Sequence, residues 1–85
     1  MINAVNQSPA FGNGYILRSK EKPEAAIKTI LNFAEENGIK MNSDRIQKLP
    51  YGDSAGNQYL FDVKNNVTNF WANFKRKFGD NAFKC

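Results

Sequence analysis

The sequence has no histidine, and its one cysteine, Cys85, is the last residue. Without histidine a serine or cysteine nucleophile lacks its usual general base, and a single thiol allows neither an intramolecular disulfide nor a multi-cysteine metal centre. The carboxylates are scattered from Glu21 to Asp80 without the spacing of a calcium loop, and the adjacent Glu35 and Glu36 would point about 100° apart on a helix. Long apolar runs are missing as well: no stretch approaches the ~20 residues of a membrane-spanning helix. The opening residues also lack the basic and apolar regions of an export signal. The expectation is a cytoplasmic protein that is not an enzyme and has no metal, no cofactor and no membrane association.

What the chain does have is aromatic area, 13% of its residues, and much of it lies in one stretch from Asn66 to Gly79. On a helix of 3.6 residues per turn, Val67, Phe70, Trp71, Phe74 and Phe78 fall on one stripe, with Asn69, Ala72, Asn73, Arg76 and Lys77 opposite. Each buried aromatic removes on the order of 150–250 Å² from water, so this stripe is the natural nucleus of a core. With the indole turned inward, Trp71→Ala should cost about 3–5 kcal/mol.

Upstream, residues 1–13 are polar and carry Pro and Gly, and read as a flexible N-terminal arm; residues 14–85 read as a single domain. Tyr15 to Arg18 is β-prone and forms a first strand. Pro23 suits the first position of a helix, Glu24 its first turn, and Asn37-Gly38 its end; Ile27, Ile30, Leu31 and Ala34 supply the apolar stripe. The second strand uses residues 39–41, residues 45–49, or both. Residues 50–57 compose a loop, and Gln58 to Val63 form a third strand with Tyr59, Phe61 and Val63 on one face and Leu60 and Asp62 on the other. Asn65 or Asn66 caps the aromatic helix. The fold class is therefore α+β: a single small domain in β-α-β-β-α order, a three-stranded sheet with two helices packed on one face.

The net charge of +4 is placed unevenly. Up to Val63 seven Lys and Arg balance seven Asp and Glu, so the excess belongs to Lys64, Lys75, Arg76, Lys77 and Lys84, opposed by Asp80. Lys75, Arg76, Lys77 and Lys84 are the candidate contacts to phosphate or an acidic partner. The same cations in a last helical turn also oppose the macrodipole. Phe11, Tyr51 and Phe83, aromatics outside the core stripes, are the candidate protein contacts.

Gly52-Asp53-Ser54-Ala55-Gly56 matches G-x-S-x-G, but a nucleophile elbow needs a strand-to-helix turn on a large parallel sheet and a base; a hairpin loop accounts for the same residues. Gly38-Ile39-Lys40-Met41 lacks the second glycine of a backbone-clamping GXXG loop, and Tyr15 to Arg18 lacks the aromatics of an RNA-stacking sheet. Two functions remain. The first is a small non-enzymatic protein-binding module, an adaptor or inhibitor, with a homodimer through an edge strand such as Tyr15 to Arg18 as one version. The alternative is a nucleic-acid-binding accessory protein that sets the basic end of the last helix on phosphates.

Overall fold

The computed structural model describes residues 14–63 and 69–84. In chain order these form strand β1 (Gly14–Ser19), helix α1 (Pro23–Glu36), a 3₁₀ turn (Ser43–Arg45), strands β2 (Ile46–Asp53) and β3 (Gly56–Asp62), helix α2 (Phe70–Phe78), a second 3₁₀ turn (Gly79–Asn81) and strand β4 (Ala82–Lys84).

Helix α1 starts and stops as its sequence dictates. Pro23 occupies the first turn with Glu24 beside it. At the other end the Gly38 amide donates to the Glu35 carbonyl and the Ile39 amide to the Ala34 carbonyl, at 3.0 and 2.9 Å. This pair of bonds closes the helix only if Gly38 is left-handed, and its φ is +78°. Ile39 then folds back onto the core. Helix α2 begins later than its apolar stripe suggests, at Phe70, after Asn69 with φ +68°. Val67 and the expected caps Asn65 and Asn66 lie outside the described residues, as do the N-terminal arm, Lys64 and Cys85.

The sheet has four strands, not three. Its order is β2-β3-β1-β4, and every neighbouring pair is antiparallel. The added strand, β4, is a three-residue piece in which Lys84, Phe83 and Ala82 lie opposite Tyr15, Ile16 and Leu17. Strand β1 is thus central, flanked by β3 and β4, and Tyr15 to Arg18 is not an edge available to a partner. The reason is packing: β1 and β3 carry the tightest inward alternation, Tyr15 and Leu17 against Tyr59 and Phe61, and take the middle, where one face is fully covered. Two β-α-β units, each split by the other's strand, give a ferredoxin-like arrangement, which hosts many unrelated functions.

Residues 39–41 contribute no strand, and residues 50–57 are mostly strand. Only Ser54 and Ala55 turn, with Asp53 Oδ1 accepting the Ala55 amide at 2.8 Å. Between Lys48 and Gly52 the register of β2 against β3 shifts, so Leu49, Pro50 and Tyr51 together oppose Gln58. Pro50 survives there because β2 is an edge strand and the bulge needs no donor from it. The G-x-S-x-G match is accordingly a strand-turn-strand hairpin, without the geometry of a nucleophile elbow.

Both helices cover the same sheet face. Phe70 and Phe74 of α2 meet Tyr15 and Phe61 of the sheet with ring centroids 4.9–6.4 Å apart, and Phe33 of α1 meets Phe70, Phe74 and Phe78 at 5.3–5.6 Å. Trp71 sits at the rim of this cluster, half-buried and stacked on Tyr15 at 6.1 Å. The helices are tied to each other by Asn73 Nδ2 donating to Asn37 Oδ1 at 2.9 Å and by the Lys77–Glu36 ion pair at 3.3 Å.

Tyr59 is fully buried, and among the described residues its hydroxyl has no hydrogen-bond partner. An orphaned buried hydroxyl costs about 1–3 kcal/mol, so Tyr59→Phe, which removes it without opening a cavity, should be neutral to stabilising by about 1 kcal/mol. A lowered melting temperature would mean that the hydroxyl is bonded after all.

Candidate functional site

With both helices on one side, the opposite face of the sheet is built from the alternate residues of each strand. Ile16 of β1 lies directly opposite Leu60 of β3 and Phe83 of β4, and Leu60 lies opposite Gln47 of β2. The result is one row, Gln47-Leu60-Ile16-Phe83, crossing all four strands. Three of its four side chains are apolar; Ile16 and Leu60 are half-buried and Phe83 is 39% exposed.

Polar residues border this row on both sides. On one side Arg45 pairs with Asp62 at 2.8 Å, both side chains partly open to solvent. On the other lies Arg18, opposite Gln58 in the register. The Arg18 guanidinium stands 5.2 Å from the centroid of the Phe83 ring, donates from Nε to Asn81 Oδ1 at 3.1 Å and from Nη2 to the Asp80 carbonyl at 3.0 Å. Arg18 therefore holds the turn that leads into β4 and fixes the ring that β4 presents. Its cationic charge meets no carboxylate within ion-pair distance among the described residues.

Of the residues proposed from sequence, Phe83 belongs to this face. Tyr51, 57% exposed, stands on the bulge of β2 at the opposite edge of the sheet, so the two aromatics do not cluster. Phe11 is outside the described residues.

The four candidate cations are exposed, yet each has a local partner. Lys75 Nζ donates to the Gly79 carbonyl at 3.0 Å, closing the end of α2, and Arg76 donates to Asn73 Oδ1 of the preceding turn. Lys77 pairs with Glu36 and lies over the rings of Phe33 and Phe78 at 5.7 and 5.9 Å. Lys84, opposite Tyr15 and so on the helix side of β4, stands 6.0 Å over the indole of Trp71. They divide between the C-terminal end of α2 and the Trp71 rim rather than forming one ridge.

Sequence reasoning missed Ile16, Leu60, Arg18 and Arg45. The alternation of β3 already turned Leu60 away from Tyr59 and Phe61; what was hidden is which strands lie beside it. Burial raises the pKa of the Tyr15 phenol, but this group faces the helices and has no access to the open face. Among the described residues no group of three or more carboxylate or thiol side chains is placed to hold a metal, and no helix is long and apolar enough to cross a membrane. The chain matches no protein-family model, no curated protein and no solved structure.

Proposed function

We propose that this chain is a small protein-binding module that engages its partner through the open face of the sheet. The observation that carries this reading is the apolar row Phe83, Ile16 and Leu60, which runs across three strands on the side that neither helix covers. Aromatic residues and arginine are the side chains most enriched where binding energy concentrates in protein interfaces. Strand pairing is the weaker route: β4 offers only three residues, and β2 is interrupted by its bulge and Pro50. Short edges, bulges and proline are the usual devices that prevent edge-to-edge association.

The nucleic-acid alternative places Lys75, Arg76, Lys77 and Lys84 on phosphates; Lys77 is paired with Glu36, whereas Lys75, Arg76 and Lys84 rest on a carbonyl, an amide oxygen and an indole face and are divided between two places. It would give retention that falls with salt at a log-log slope of about −0.7 to −0.9 per phosphate contact.

Affinity capture from the source organism's lysate with the full chain and with Phe83→Asp as baits decides between the two. The introduced carboxylate would sit beside the Arg18 guanidinium on an edge strand, so the fold should persist while the apolar row is broken. A protein retained by the wild type, lost by Phe83→Asp and indifferent to nuclease is the expected result. Identical retention by both baits, or retention that nuclease abolishes, would refute the proposal.

A further inference from the structure

We infer that the segment bound on the open face carries a carboxylate next to its apolar side chains, and that Arg18 receives it. The inference rests on the protein-binding reading and adds the chemistry of the partner. Of the two guanidinium groups bordering the apolar row, Arg45 is already neutralised by Asp62 at 2.8 Å, whereas Arg18 uses two of its donors on the neutral Asn81 side chain and the Asp80 carbonyl. A guanidinium has five N–H donors, so Arg18 keeps three, and its charge has no carboxylate partner among the described residues.

The charge at this end of the row is that of Arg18 itself. Lys20 is exposed just past the end of β1, and Glu21, which lines the same cleft, offsets it. The apolar row and the unneutralised guanidinium are adjacent, since the ring of Phe83 lies directly under Arg18. A partner with aliphatic or aromatic side chains and no acid would leave that charge desolvated and unpaired at the interface, which is unfavourable. A partner with an Asp, a Glu or a terminal carboxylate beside its apolar residues gains a charge-assisted bond there. A basic partner is repelled.

Gln58 gives the test its leverage, because it lies opposite Arg18 in the sheet and can be changed without removing any contact that Arg18 makes. The full chain is immobilised and used to select from a random peptide library displayed on phage. Enriched sequences should place Asp, Glu or the C-terminus within a few residues of Leu, Ile, Phe, Met or Trp. A representative peptide should bind Gln58→Glu about tenfold more weakly than wild type, the size of one charge-assisted bond. It should bind Gln58→Lys at least as tightly as wild type. The opposite signs expected for two substitutions at one site separate charge from any loss of fold.

Enrichment of apolar sequences without an acid, or equal affinity for the two Gln58 variants, would overturn the inference while leaving the protein-binding reading intact. Absence of any enrichment, with single-stranded oligo-dT retained by the wild type instead, would overturn both.

Discussion

Phe74→Ala is expected to leave the domain at or beyond the edge of unfolding. Phe74 is fully buried, and its ring lies 5.3–6.1 Å from those of Tyr15, Phe33, Phe61, Phe70, Trp71 and Phe78, so it joins both helices to both central strands. Removing such a ring costs about 3–5 kcal/mol, partly in lost transfer free energy and partly in the cavity that rigid neighbours cannot close. Domains of this size have about 5–10 kcal/mol in total. Trp71→Ala, by contrast, trims a half-buried ring at the rim, where water can take up the space, and should cost about 1–3 kcal/mol rather than the full value for a buried aromatic. Urea denaturation followed by far-UV circular dichroism ranks the two. If Trp71→Ala were as damaging as Phe74→Ala, the centre of the core would have to be moved to the indole.

Gly56→Ala should be nearly as severe, for a reason that has nothing to do with hydrophobic area. Gly56 has φ +125°, and a Cβ built there would lie 2.4 Å from the Ser19 carbonyl oxygen and 2.9 Å from the Lys20 amide. These are backbone atoms that cannot rotate away, so either the β2–β3 hairpin or the exit from β1 must shift. Backbone strain and overpacking together suggest a loss of about 2–5 kcal/mol. Gly38→Ala is the internal control: it is also left-handed, but nothing lies within 4 Å of its added methyl. The conformational term alone, about 1–2 kcal/mol, should apply there. Thermal melts of equal size for the two alanine variants would show that contact with β1 is not what requires glycine at position 56.

Features set by local rules were legible in the sequence. Pro23, Glu24 and Asn37-Gly38 mark α1 because capping and chain reversal depend on residues within a turn of one another. The inward aromatics of α2 and the alternation of β3 follow from periodicity. What escaped detection depends on partners far along the chain. Ala82-Phe83-Lys84 is too short to show a period and is a strand because β1 lies beside it and Arg18 anchors its turn. Residues 50–57 have the composition of a loop, yet Pro50 and Gly52 are accommodated by a bulge on an edge. The same distinction governs the site: that Lys75, Arg76 and Lys77 share a helix end was readable, whereas their pairing with Gly79, Asn73 and Glu36 was only partly so. The row from Phe83 to Leu60 could not be read at all without the strand order.

That strand order has a consequence for the nascent polypeptide. β1 leaves the ribosome first among the described strands, but both of its neighbours, β3 and β4, are encoded more than thirty residues downstream. Until they emerge, Tyr15 and Leu17 are exposed on a strand with two unsatisfied edges, a state open to chaperones and to aggregation. Of the described helices, α1 is the one upstream of β3 and can form early from contacts within itself. The sheet then closes late through loops of high sequence separation, and folding should be slower than for a helical bundle of the same length.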